Sequence, residues 1–185
     1  MKLHILKGDH NSAKILALIK KLGLNVEIRY LNPKTYIKDP QFIKISPEQK
    51  TPVLQTAFDS FDSVNTILRY ISRKNKEKGF RGVIPREEAK IDEWLEYCAF
   101  KIDPLVKKLA YAKKNILGID KDSLLEQLKS EISKLSLSLT NKDSLVGYSL
   151  SLADLSIGVS FFYPLKDIFE ENFKETFTEF YEYLQ

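Results

Sequence analysis

Thr51-Pro52-Val53-Leu54-Gln55-Thr56 is the stretch on which the fold of this 185-residue chain turns. Its β-rich run is opened by a proline, which has no N–H for a strand ladder and is tolerated at a strand's first residue. The Thr51-Pro52 bond is a candidate cis peptide. Upstream, Leu3, Ile5 and Leu6 form a short apolar run that ends in the turn formers Gly8-Asp9-His10-Asn11, so a strand leaves into a loop. Ser12 reads as the N-cap of a helix carrying Ile15, Leu16, Leu18, Ile19 and Leu22 at helical spacing, with Lys20 and Lys21 near its end and Gly23 as terminator. Val26, Ile28 and Tyr30 alternate with polar residues and predict a second strand, parallel to the first by a right-handed crossover. Asn32-Pro33, Asp39-Pro40 and Ser46-Pro47 punctuate a loose segment with a short helical turn.

Downstream of the quoted stretch, Phe58 to Phe61 allow only a very short return strand. Asp62 and Ser63 are both good caps for a helix with Val64, Ile67, Leu68 and Ile71 on one face. Arg73-Lys74-Asn75-Lys76-Glu77-Lys78-Gly79 then reads as a charged linker, which divides the chain into residues 1–78 and 79–185. No strand pattern follows. Ile91, Trp94, Leu95 and Cys98 have helical spacing, as do the segments 104–116, 123–137 and 152–169, so the second half is expected to be all α. Ser151-Leu152-Ala153-Asp154 spells a reciprocal helix cap, with Leu150 and Leu155 at the staple positions, and reads as a folding signal. Phe161-Phe162-Tyr163 is too continuously apolar for an amphipathic face, so at least one ring covers a neighbour or a partner. Pro164 is expected to kink or end that helix.

Hydrophobic residues make up 43% of the chain, enough for a core, and the single cysteine excludes an intramolecular disulfide and suits a reducing, cytoplasmic setting. No run of about 18 apolar residues is present, so no membrane span is expected, and with His4 and His10 as the only histidines no metal site is expected. The net charge of +4 conceals an asymmetry: residues 1–78 carry 15 Lys and Arg against 7 Asp and Glu, and residues 79–185 carry 14 against 18. A basic half beside an acidic one suits oppositely charged protein partners, and weak contact with tRNA is the other reading, through the lysines of residues 72–81 and 107–114.

Together these elements resemble the glutathione-transferase family over nearly the whole chain. The resemblance implies a thioredoxin-like α/β half at 1–78 followed by an all-helical half at 79–185, the glutathione S-transferase-like fold. The segments Pro52-Val53-Leu54-Gln55-Thr56, Glu93-Trp94-Leu95-Glu96-Tyr97 and Ser151-Leu152-Ala153-Asp154-Leu155 are most similar to one branch, the GST-like domains of cytosolic aminoacyl-tRNA synthetase complexes. That branch comprises the N-terminal domains of methionyl- and glutamyl(-prolyl)-tRNA synthetases and a small auxiliary protein. The N-terminal domain of elongation factor 1B gamma is a close relative. The resemblance implies a non-catalytic protein–protein interaction module that assembles a synthetase complex in translation. The alternatives are the elongation factor domain and a glutathione transferase using Ser12. The segment before Gln185 matches the penultimate helix of a full transferase, so the chain is expected to be a domain of a longer protein. It carries no adenylation signature.

Transferase chemistry needs a hydroxyl or thiol near the first helix's N-terminus, where it can hold a thiolate. The loop 7–12 lacks tyrosine and cysteine, leaving Ser12 as the catalytic candidate and His10 as a base candidate, each with a favoured plainer reading, helix cap and solvated loop residue. The peptide-holding positions implied by the resemblance are Lys50, Thr51, Asp62 and Ser63. They allow residual glutathione binding, although Asp62 and Ser63 are also explained as caps, and no other cofactor is implied. Two association faces are expected, one with Arg69, Tyr70, Trp94 and Tyr97, the other with Phe161, Phe162 and Tyr163. Trp94 is equally readable as core. The partners would be other GST-like domains or a second copy.

Overall fold

The computed structural model describes residues 1–76, 79–113 and 120–167 together with Phe180 and Tyr183, and the side chains of Lys113 and residues 163–167 lie outside that description. The chain forms two compact units, Met1–Lys78 and Gly79–Gln185.

In the first unit β1 (Lys2–Ile5) leads into α1 (His10–Leu22) and β2 (Glu27–Tyr30). After a 3₁₀ turn at Tyr36–Lys38 come α2 (Pro40–Ile45), β3 (Val53–Gln55), β4 (Ser60–Phe61) and α3 (Val64–Lys74). The sheet order is β2-β1-β3-β4. β1 and β2 run parallel, with Leu3 opposite Ile28, and β3 pairs antiparallel with both β1 and β4. The two-residue side-chain period puts Leu3 and Ile5 on one face, both almost wholly buried, where they join the buried Ile15 and Leu18 of α1 and Ile67, Leu68 and Ile71 of α3 in the core. His4 points the other way and meets the ring of Phe42 from α2 at 6.3 Å between centroids. Each fully buried aliphatic side chain contributes on the order of 1.5–3 kcal/mol, so the periodic stripes read in the sequence are what hold this layer together.

Three local readings are corrected. The cap of α1 is Asp9, not Ser12: its Oδ2 accepts the Ser12 N–H at 2.8 Å, and the helix starts at His10, leaving Ser12 at its third position. A carboxylate accepts from more donors than a hydroxyl, so the earlier residue wins. His10 is accordingly the first helical residue and half-buried rather than solvated. Arg73 and Lys74 belong to α3 and not to a linker.

The second unit runs α4 (Pro85–Tyr97), a single π-helical turn at Cys98–Ile102, α5 (Asp103–Lys113), α6 (Lys121–Leu139) and α7 (Leu152–Asp167). Among the described residues it contains no strand. Leu124, Leu128, Ile132, Leu135 and Leu139 form one buried stripe along α6, which packs on α5, while α7 packs on α4 and α5. The helix α7 continues through Pro164 to Asp167 instead of stopping there.

Candidate functional site

The loop between β1 and α1 delivers Ser12 to a buried position, 1% exposed. Its Oγ donates to Asp9 Oδ2 at 2.5 Å. A transferase hydroxyl must offer its proton to a thiolate, and here that proton is directed at a carboxylate whose own negative charge opposes a second anion beside it.

The peptide-holding positions also lie in the first unit. The Thr51-Pro52 bond is cis, Thr51 is half-buried and Pro52 buried. The turn leading into it is closed by Ser46, fully buried, whose Oγ accepts the Lys50 N–H at 3.0 Å and donates to the Lys50 carbonyl at 3.2 Å. The exposed Lys50 ammonium pairs with the Glu48 carboxylate; the hydrogen bond, reinforced by opposite charge, raises the one pKa and lowers the other. Asp62 is half-buried and close enough to add its field to Lys50. Ser63 occupies the N-cap position of α3 but makes no side-chain cap bond, a departure from the cap reading that leaves the hydroxyl exposed beside the first-turn N–H groups. A carboxylate beside a free hydroxyl at a helix N-terminus can receive an ammonium and a carboxylate of one amino-acid end.

The candidate contact residues divide between the units. Arg69 and Tyr70 are half-buried on α3 of the first. In the second, Trp94 and Tyr97 are half-buried on α4, their rings edge-to-face at 5.3 Å and 84°. Trp94 sits beside the buried Ile91 and Leu95 on the margin of the apolar stripe and lines two adjoining hollows. The larger, about 710 Å³, runs from Ile84, Arg86 and Lys90 on the α4 side to Lys142 and Tyr148 in the loop after α6. The smaller, about 270 Å³, continues past Tyr97 to Lys134 and Ser138. Tyr97 donates a short hydrogen bond to Glu131, which also accepts from Lys134 Nζ at 2.8 Å. Burial followed by that bond drives the Tyr97 pKa far upward. Burial pushes Glu131 up, but the bonds from Lys134 and Tyr97 outweigh it and hold the carboxylate below its usual range.

Phe161 is a core residue and not a contact residue: it is wholly buried, edge-to-face with Phe180 at 4.8 Å. Phe162, the next residue round the helix, is the exposed one at 58%, and the Tyr163 side chain lies outside the described residues. Ser151 and Asp154 are buried, and Asp154 Oδ2 accepts both the Ser151 N–H (2.8 Å) and its Oγ–H (2.6 Å). Its Oδ1 accepts from Leu145 N (2.8 Å) and Tyr183 OH (2.9 Å), so the motif ties a distant loop and a distant residue to α7. Leu150, the outer staple residue, remains 45% exposed. Sequence reading missed the loop side of the groove, where Gly147 at φ +72° turns the chain and leaves Tyr148 fully exposed; the Gly-Tyr pair in a polar loop was the available signal. Among the described residues no group of three or more His, Cys, Asp or Glu side chains could hold a metal ion, and no helix is long and apolar enough to cross a membrane.

This is a glutathione S-transferase-like fold, and residues 1–73 match the family of glutathione S-transferase N-terminal domains. Glutathione transferase F2 from Populus trichocarpa superposes with a TM-score of 0.88 at 20% identity, over 98% of this chain and 90% of that one. In sequence the chain is similar to elongation factor 1-gamma 2 of Oryza sativa subsp. japonica, 27% identical over 179 residues, which is 95% of this chain and 43% of that protein. It thus spans less than half the length of that curated relative. The chain is also similar to the bifunctional glutamate/proline–tRNA ligase of Mus musculus, 34% identical over 98 residues, 53% of this chain and 5% of that protein. The elongation factor resemblance therefore runs much further along the chain than the synthetase resemblance.

Proposed function

We propose that this chain is a GST-like association domain of an elongation factor 1-gamma type translation protein, working in the cytoplasm, and that it does not turn over glutathione. The observation that carries this reading is similarity to elongation factor 1-gamma along 95% of the chain. The direction of the Ser12 proton toward Asp9 supports the absence of thiol chemistry. The partner is another GST-like domain, in the first instance a second copy, seated on the Trp94 groove. Along α4 the groove is lined by Arg86, Glu87, Lys90 and Glu93, and Lys90 and Glu93 already form an ion pair at 2.6 Å within the helix that a partner's matching pair could extend. Two such helices laid antiparallel across a two-fold axis bring opposite charges together around paired aromatic rings.

A conjugation assay with glutathione and 1-chloro-2,4-dinitrobenzene tests the catalytic half of the proposal. No turnover above the uncatalysed rate is expected, and turnover that disappears in Ser12→Ala overturns it. The open Ser63 hydroxyl beside Asp62 favours a second, compatible reading, residual glutathione binding without conjugation. Calorimetric titration with glutathione, and its loss in Asp62→Ala, checks that reading.

A further inference from the structure

We propose that Glu131, which lines neither hollow, is a positioning residue for association: it holds Tyr97, and through Tyr97 the ring of Trp94, in the orientation that the partner meets. This inference rests on the association reading and deepens it. Glu131 stands on α6, and its side chain is 14% exposed. Its Oε2 accepts the hydroxyl proton of Tyr97 from α4, and its Oε1 accepts from Lys134 Nζ, three residues along α6, at 2.8 Å. Burial opposes the charge on Glu131, but the bonds from Lys134 and Tyr97 and the field of Lys101 outweigh it, so the carboxylate stays ionised at neutral pH. The bond that fixes Tyr97 is therefore charge-assisted, which puts it in the stronger class of hydrogen bonds.

A half-buried ring at the margin of a helix stripe is not confined by packing on every side, so its orientation depends on what its hydroxyl finds. Here the hydroxyl finds a carboxylate on the neighbouring helix. The bond ties α4 to α6, the two helices that supply the lining of the smaller hollow. Trp94, three residues before Tyr97, meets it edge-to-face with centroids 5.3 Å apart, an arrangement that the ring quadrupoles favour. Fixing one ring therefore fixes the other. An interface loses free energy for every large side chain it has to order, and a ring already ordered in the free protein avoids that loss. Because the Tyr97 proton is directed inward to Glu131, what Tyr97 offers a partner is its ring and not a hydrogen bond, so the side chain opposite it is apolar or aromatic. A purely structural staple between α4 and α6 would explain the bond equally well, but it predicts lost stability with unchanged association of the folded chain.

The test is a double-mutant cycle on the intact chain. Sedimentation equilibrium measures self-association of the unmodified chain, Glu131→Gln, Glu131→Ala, Tyr97→Phe and the combined Glu131→Ala and Tyr97→Phe variant, each well below its melting temperature. Glu131→Ala and Tyr97→Phe should each weaken association roughly tenfold, the order expected when rings must be ordered on binding. The combined variant should be no weaker than either single one, because both remove the same bond. Glu131→Gln keeps an acceptor for the hydroxyl, and the largely exposed Lys134 can turn to water, so its affinity should stay within about threefold of the unmodified chain. Time-resolved anisotropy of Trp94, the single tryptophan, is read at dilutions where the chain is monomeric, and a fast component should appear in Glu131→Ala and Tyr97→Phe. Variants that associate as tightly as an assembling unmodified chain overturn the positioning role and leave the association reading standing, even if their melting temperatures fall. Losses that add in the combined variant overturn it as well, since they would come from two separate effects. An unmodified chain that is monomeric at every concentration overturns the association reading itself, and this inference with it.

Discussion

Replacing Asp154 by alanine should be the most damaging single change in the helical unit. The carboxylate is 3% exposed and accepts four hydrogen bonds, two of them from the backbone N–H groups of Leu145 and Ser151. The Ser151 and Tyr183 hydroxyls can rotate toward other acceptors or water, whereas the two amides are fixed. Each buried amide left without an acceptor costs about 1–3 kcal/mol, so with two of them, one being the Ser151 cap bond itself, Asp154→Ala should destabilise by roughly 2–6 kcal/mol. Asp154→Asn keeps one oxygen and turns an NH₂ toward the other set of donors, which should cost about half as much. Urea unfolding followed by Trp94, the single tryptophan and a resident of the same unit, reads both values. A loss below about 1 kcal/mol for the alanine variant, the range of an ordinary surface substitution, would refute the argument.

Three further outcomes follow from the geometry. Burial, then the charge and hydrogen bond of Asp154, raise the Tyr183 pKa far above its ordinary value, so the folded state keeps a proton that the unfolded chain releases near pH 10. Stability from this residue is complete below that pH and falls above it by about 1.4 kcal/mol per pH unit, and Tyr183→Phe should flatten the alkaline limb of a urea midpoint against pH curve by one proton. Cys98 is fully buried, with Sγ 3.2 Å from Ser160 Oγ, so a thiol-specific disulfide reagent should leave it unmodified in the native protein and modify it completely after unfolding. Ser12→Ala removes one hydrogen bond to Asp9 and should cost about 1 kcal/mol, while Asp9→Ala also loses the cap and should cost more, both read by thermal melting.

The architecture was legible because its signals are local and periodic. The alternation from Val26 to Tyr30 and the stripe from Ile15 to Leu22 follow from repeats of two and 3.6 residues, the Gly23 terminator from the left-handed backbone that glycine adopts, and all three correspond to observed elements. Errors arose where two residues competed for one role. Asp9 and Ser12 are both capping types, and only three-dimensional donor geometry separates them. In Phe161-Phe162 an unbroken apolar run hides which ring faces inward, and the answer is supplied by Phe180, nineteen residues on. The polar cluster of Cys98, Asp103, Ser156 and Ser160 joins the π-helical turn to α7 across more than fifty residues, beyond the reach of any local pattern. The Trp94 groove was half visible: the sequence offers the aromatic pair on α4, but the wall from Asn141 to Tyr148 comes from a loop whose return to α4 depends on the tertiary fold.

Light scattering of the purified chain alongside Lys90→Glu, Glu93→Lys and an equimolar mixture of those two variants tests the association reading most directly. The account predicts an assembly for the unmodified chain, monomers for each variant alone and recovery of the assembly in the mixture, where the reversed charges face each other. A monomeric unmodified chain, or variants that assemble as well as it does, would contradict the placement of the partner on the Trp94 groove.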